Sequence, residues 1–201
     1  MAGGGGIRIA ASGDAAAVQA IYAPYVAETV ISFEIEPPSV AEMARRIAMI
    51  GARFPWLVYG VGDEIAGYAY AGPHKERAAY QWAADATVYV AAQARGKGVG
   101  RALYRRLLAI LDFQGFHTVF GGITLPNAAS VGLHEACGFR PVGVYREVGY
   151  KFGAWRDVGW WGLRLSDAEA DPRPPQAFSR DLFDRSAAAE RLARPVGQGE
   201  A

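Results

Sequence analysis

The chain has 201 residues, 51% of them apolar, with 21 Lys and Arg against 20 Asp and Glu. That length and apolar content suit one well-buried domain, and the near-balance of charge excludes a general electrostatic pull toward nucleic acid or an anionic membrane. The single cysteine, Cys137, fits a reducing cytosol, no apolar run is long enough to span a bilayer, and residues 1–6 lack a signal peptide's apolar core, so a cytoplasmic protein is expected.

Glycines at 3–6 make residues 1–6 a flexible leader, with order expected from Ile7. Residues 7–10 read as a short strand, followed by a helix that Ser12 or Asp14 can cap and that places Ala17, Val18, Ile21 and Tyr22 inward. Pro24 should end or bend that helix. Residues 29–35 are β-prone but stop at Pro37 and Pro38, which suits a surface segment. Ser39 with Glu42 forms a capping box for a helix with Met43, Ile47 and Ile50 inside and Gly51 near its end. Residues 56–61 and 65–71 read as a hairpin across Gly62, Asp63 and Glu64, and a charged loop follows over 72–79.

Residues 80–90 read as a long strand, 98–114 as a helix ending near Gly115, and 118–124 as the next strand. Leu125, Pro126 and Asn127 lead into a short helix through Ala136, with Gly138 suited to a left-handed cap. Residues 140–146 and 155–165 close the sheet as two antiparallel strands. Beyond Ser166, Pro172, Pro174 and Pro175 mark a change of composition, and residues 167–201 read as an extended or partly helical tail after a domain over 7–166.

The stretch around residues 87–114 carries the strongest functional signal. A β-prone run, Thr87, Val88, Tyr89 and Val90, feeds a turn, Arg95, Gly96, Lys97, Gly98, Val99 and Gly100, whose second half opens the helix over 98–114. Glycines at a helix N-terminus let unpaired N–H groups curl round an anion, and Arg95, Lys97 and Arg101 add positive field. The P-loop pattern fails at Ala91 and at Gly98, and the dinucleotide fingerprint fails at Arg101 and Leu103. What does match is R-x-x-G-x-G at Arg95, Gly98 and Gly100, which resembles the pyrophosphate loop of the GCN5-related N-acetyltransferases (GNAT).

The resemblance extends over nearly all of residues 7–165. Phe54-Pro55-Trp56-Leu57-Val58, Tyr70-Ala71-Gly72-Pro73, Thr87-Val88-Tyr89-Val90, Leu125-Pro126-Asn127, Leu133-His134-Glu135-Ala136 and Gly149-Tyr150-Lys151 are similar to the phosphinothricin N-acetyltransferase branch. That branch is similar in activity to enzymes that acetylate methionine sulfone and methionine sulfoximine. The resemblance implies a mixed α/β GNAT fold, a mostly antiparallel twisted sheet flanked by helices. It also implies acetyl-CoA as cosubstrate, a small amino acid as acceptor, and a homodimer with active sites near the subunit interface. A peptide N-terminus or another amine is the alternative acceptor, and a non-catalytic acetyl-CoA sensor the alternative function.

Acetyl transfer needs a neutral amine, so some group must take its proton. Asp85 stands where the branch carries a glutamate; one methylene shorter, it can act directly, through a water, or only as a holder of the substrate ammonium. Main-chain groups at Val88, Tyr89 and Val90 can pair with the pantetheine amides, and an N–H near Val88 can face the oxyanion. Asn127 can cap its helix or bond the cofactor, with Ser130 one turn on. His134 lies on the helix where the wider family places a tyrosine near the departing sulfur; it is a second catalytic candidate or a satisfied core histidine. Lys75, Glu76, Arg77 and Tyr80, with Thr87 and Phe33, are the substrate-binding candidates, since a carboxylate or phosphinate calls for cations. No Cys, His and carboxylate cluster has metal-site spacing, so no metal is expected.

Overall fold

The computed structural model describes residues 5–192. Its sheet has seven strands in the order β1-β2-β3-β4-β5-β7-β6: β1 (Gly6–Ile9), β2 (Trp56–Val61), β3 (Glu64–Pro73), β4 (Ala83–Val90), β5 (Thr118–Leu125), β6 (Arg140–Lys151) and β7 (Ala154–Arg164). Each neighbouring pair is antiparallel except β4 and β5, which run parallel. Five α-helices complete it: α1 (Ala15–Glu28), α2 (Val40–Gly51), α3 (Val99–Gln114), α4 (Ala128–Ala136) and α5 (Arg180–Leu192). The expected mixed, mostly antiparallel GNAT architecture is therefore present.

The parallel pair positions the site. β4 and β5 pair only over Ala83 to Asp85 against Thr118 to Phe120, after which they part. Beyond Asp85 the side of β4 that faces β5 has no strand partner, while its other side stays laddered to β3 as far as Val90. Backbone groups left open in this way must find other partners. Helix α3 packs its Leu103, Leu107, Ile110 and Leu111 stripe into the core, and glycines bound it: Gly98 at φ 81° before it and Gly115 at φ 93° after it. Both angles lie in the left-handed region, where a β-carbon is strained.

Several expectations need correction. Pro24 does not end α1, which runs on to Glu28 because Tyr25 and Val26 are buried against the sheet and hold its last turn. Residues 29–35, expected as a surface segment, form no strand and are largely bends. They are fastened by Lys151, whose buried ammonium donates to the carbonyls of Val26, Ser32 and Glu34 at 2.6, 2.8 and 2.8 Å. The strand expected from Tyr80 begins at Ala83, since residues Ala78–Tyr80 make a single 3₁₀ turn. β6 runs five residues beyond the expected end, with register shifts at Pro141/Gly143 and Tyr145/Gly149, and leaves only Phe152 and Gly153 before β7.

Of the leader, residues 1–4 lie outside the described residues, and Gly6 already pairs with Gly60. In the C-terminal segment, Phe178 and Leu182 join the core. The amide of Gln114 on α3 donates to the carbonyl of Gln176 at 2.7 Å, and the Trp82 indole to that of Arg173 at 2.9 Å. Residues 193–201 lie outside the described residues.

Candidate active site

At the start of α3, Gly98 is the N-cap and offers no side-chain acceptor, so the first helical N–H groups point outward unclaimed by a cap. A groove of about 450 Å³ opens there. It is lined by Val88, Tyr89, Val90, Arg95, Gly96, Gly98, Val99, Gly100 and Arg101 from one side and by Asn127 and Ser130 from the other. The sequence-selected cofactor residues thus converge on one feature, with the exposed Lys97 outside its lining. A wider cavity of about 710 Å³ beneath residues 166–173 is lined from the C-terminal end of α3, at Asp112 and Gly115, and has no helix N-terminus in its lining.

Tyr25 braces the loop. Its hydroxyl donates to the Val90 carbonyl at 2.6 Å and accepts from Arg95 Nε at 3.2 Å, while the guanidinium lies 4.9 Å from its ring centroid. The Val90 carbonyl is therefore already engaged. Tyr89 points its ring into an aromatic cluster with Tyr22 and Tyr25, so only its backbone faces the groove's strand edge.

The groove continues into the split between β4 and β5 as a small cavity of about 100 Å³, touched by Thr87, Gly122, Thr124, Tyr104 and His134. His134 is buried, and its Nδ1 lies 2.8 Å from the Ser130 carbonyl, which can only accept; Nδ1 therefore carries the proton. Nε2 is then the acceptor for the Tyr104 hydroxyl at 3.0 Å. Burial pushes the His134 pKa down, favouring this neutral form. Asn127 caps α4 by accepting from the Ser130 N–H at 3.1 Å, leaving its amide nitrogen available.

Asp85 occupies the last paired position before the strands part. Its Oδ1 lies 2.7 Å from His74 Nδ1, and burial, opposed by the bond to His74, pushes its pKa up. The His74 ring stacks on Phe120 at 4.4 Å and meets Trp160 and Tyr80 edge-on at 5.7 and 6.2 Å. A β-carbon on Gly121 would run into His134, whereas Phe120, its neighbour, stacks on His74. Strand alternation therefore puts Asp85 and His74 on the opposite face of the sheet from His134 and Tyr104, with the split between them.

Lys75, Glu76, Arg77 and Tyr80 are exposed on the loop beside this pair. Phe33 lies against Gly149, where a β-carbon would overlap its ring. Sequence reasoning passed over three groups on this face. His74 sits eleven residues from its carboxylate partner, a separation that encodes no contact until β3 and β4 pair Gly72 with Asp85. Arg156 and Trp160, which strand alternation places on one side of β7, hold buried Nε and Nε1 atoms with no hydrogen-bond partner among the described residues. Among those residues no cluster of three or more metal-ligating side chains occurs, and no helix is long and apolar enough to cross a membrane.

Comparison with known proteins gives the family. The acetyltransferase (GNAT) domain model matches residues 7–160. The chain is 43% identical to a phosphinothricin N-acetyltransferase of Streptomyces viridochromogenes over 84% of its own length and 91% of that relative's. It is 33% identical to an L-methionine sulfoximine/L-methionine sulfone acetyltransferase of Pseudomonas paraeruginosa, over 83% and 98% of the two lengths. A GNAT superfamily phosphinothricin acetyltransferase from Sinorhizobium meliloti, solved in complex with acetyl-CoA, superposes with a TM-score of 0.80 at 31% identity, covering 89% of this chain and 98% of the other. With a glycine-opened helix N-terminus, a split parallel strand pair and these relatives together, the chain belongs to the GNAT acetyltransferases, in the branch of the phosphinothricin and methionine sulfoximine N-acetyltransferases.

Proposed function

We propose that this protein moves the acetyl group of acetyl-CoA to the α-amine of a small amino acid with a tetrahedral polar head, such as phosphinothricin or methionine sulfone or sulfoximine, by direct attack. The observation that carries the proposal is the uncapped N-terminus of α3, which opens onto a groove leading to the β4–β5 split. Its N–H groups, with Arg95 and Arg101 alongside, fit a diphosphate. The open edge of β4 at Val88 fits the pantetheine amides, and the Asn127 amide nitrogen adds a donor. Acetyl-CoA supplies an activated acetyl thioester; the protein supplies alignment and takes up a proton.

The amine approaches from the face that holds Asp85 and Thr87. Lys75 and Arg77 on the loop, with the unpartnered donors of Arg156 and Trp160, suit a carboxylate and a second anionic head. His134 and Tyr104 stand on the other face, beside the cavity suited to the sulfur. The reading also includes a homodimer through β6, an edge strand whose Val142, Val144, Tyr145, Val148 and Tyr150 are exposed.

A thiol-release assay against a panel of amino acids, peptides and polyamines tests the proposal. Turnover fastest with phosphinothricin or methionine sulfone is expected. Turnover confined to peptides or polyamines would overturn the substrate class, and acetyl-CoA binding without release from any amine would leave only a sensor.

A further inference from the structure

We propose that His74, rather than Asp85, accepts the substrate's proton, and that Asp85 is its positioning residue. The inference rests on the N-acetyltransferase reading above and adds a catalytic residue to it.

The geometry of the pair decides the roles. A carboxylate oxygen 2.7 Å from His74 Nδ1 is an acceptor when ionised, so Nδ1 must carry the hydrogen. The neutral ring then presents a bare lone pair at Nε2. No described residue hydrogen-bonds that atom, and the ring is held by Phe120, Trp160 and Tyr80 and by the backbone bond from the His74 N–H to the Ala83 carbonyl. A fixed imidazole with one nitrogen bound to a half-buried carboxylate and the other free is the arrangement a general base requires.

Asp85 alone is poorly suited to the task. It is short, one of its oxygens is committed to His74, and its backbone is locked between β3 and β5. The imidazole extends its reach by a ring's width on the side that carries Thr87 and Trp160. Of the charged groups on this face, Lys75 acts on Asp85 through space and Arg156 lies on the same side of β7, while among the aromatic neighbours only Tyr80 carries an ionisable group.

The step balances. Nε2 takes one proton from the substrate ammonium and leaves the nitrogen lone pair free, and the imidazolium so formed is neutralised by the Asp85 carboxylate. The lone pair forms the C–N bond as the C–S bond breaks. The second nitrogen proton leaves with the thiolate, and the imidazolium returns its proton to solvent.

Two measurements on the full chain test this. ¹⁵N NMR of the free protein at neutral pH should find the His74 ring protonated at Nδ1 and bare at Nε2, with that preference lost in Asp85→Asn; an Nε2-protonated tautomer overturns the proposal. In steady-state assays, His74→Phe keeps the stacking on Phe120 but should lower kcat by about a hundredfold or more with the acetyl-CoA KM unchanged. His74→Ala should recover turnover when imidazole is added. A His74→Phe enzyme within about fivefold of the wild-type kcat overturns the role of His74 alone, whereas a wild-type chain that acetylates no amine removes the parent reading and this one with it.

Discussion

Gly98 meets two requirements that a side chain would violate: a backbone at φ 81° and an unobstructed approach to the first N–H groups of α3. Gly98→Val would force an L-residue into the left-handed region at a cost of about 1–2 kcal/mol, relieved only by withdrawing those donors. Its KM for acetyl-CoA should rise about tenfold or more, with a much smaller change in kcat; steady-state kinetics with an unchanged KM would detach the diphosphate from this loop. Gly121 is constrained differently, by crowding. A β-carbon there would overlap the His134 imidazole, while one on the adjacent Gly122 would meet the Trp160 ring at an ordinary 3.4 Å. Gly121→Ala should therefore cost about 1–3 kcal/mol in urea unfolding and displace His134 from Tyr104, with Gly122→Ala costing less. Equal losses would show that His134 is free to move aside.

At the level of elements, short polar ties decide how segments without regular structure are held. Asp14 was a candidate helix cap from its position before the apolar positions of α1. In the fold its carboxylate instead takes two bonds from the Arg8 guanidinium, at 2.6 and 2.7 Å, and one from the Ala11 N–H, at 2.7 Å, tying β1 to the helix entrance. The bond from Arg8 is the largest influence holding the Asp14 carboxyl below its ordinary range. A carboxyl with a lower pKa folded than unfolded stabilises the fold above the ordinary carboxylate range, and that contribution is lost as pH falls through the folded value. Because Arg8 is half exposed, the effect should be about 0.5–1 kcal/mol. Asp14→Asn should narrow the difference in unfolding free energy between pH 7 and pH 3, measured by urea titration. Wild type and variant losing the same amount would assign the pH dependence elsewhere.

For the whole molecule, the seven-strand sheet ends on β6, where exposed valines and tyrosines line a strand with one unpaired edge. Such an edge invites association, and a second copy of the chain is the self-complementary partner that two-fold symmetry favours. The wild-type protein should sediment at about twice its 21.5 kDa chain mass, and Val148→Glu combined with Tyr150→Glu should shift it toward the monomer. A monomeric wild type in analytical ultracentrifugation would remove the dimer from the proposal. Gly149 lies between those two positions and against Phe33, so monomerisation should also weaken substrate binding if the Phe33 wall depends on β6.

The sequence alone determined those features whose causes are local. The R-x-x-G-x-G turn, the helical stripe of α3, the Asn127 cap and the hairpin at Gly62 each arise from neighbours along the chain, while the family and its fold came from the resemblance of that turn and of six further blocks spread over residues 7–165. The tertiary structure decided what depends on distant partners. Asp85 was legible as a candidate, but its bond to His74 exists only because β3 and β4 pair; the unpartnered donors of Arg156 and Trp160 come into view only once β7 is laid beside β5. Lys151 stood out only as part of a motif, and its bonds to three carbonyls more than a hundred residues away emerged on folding. Helix signals and turns are written in spacing, whereas the partner of a buried polar group is set by which strands become neighbours, a choice made by burial across the whole sheet.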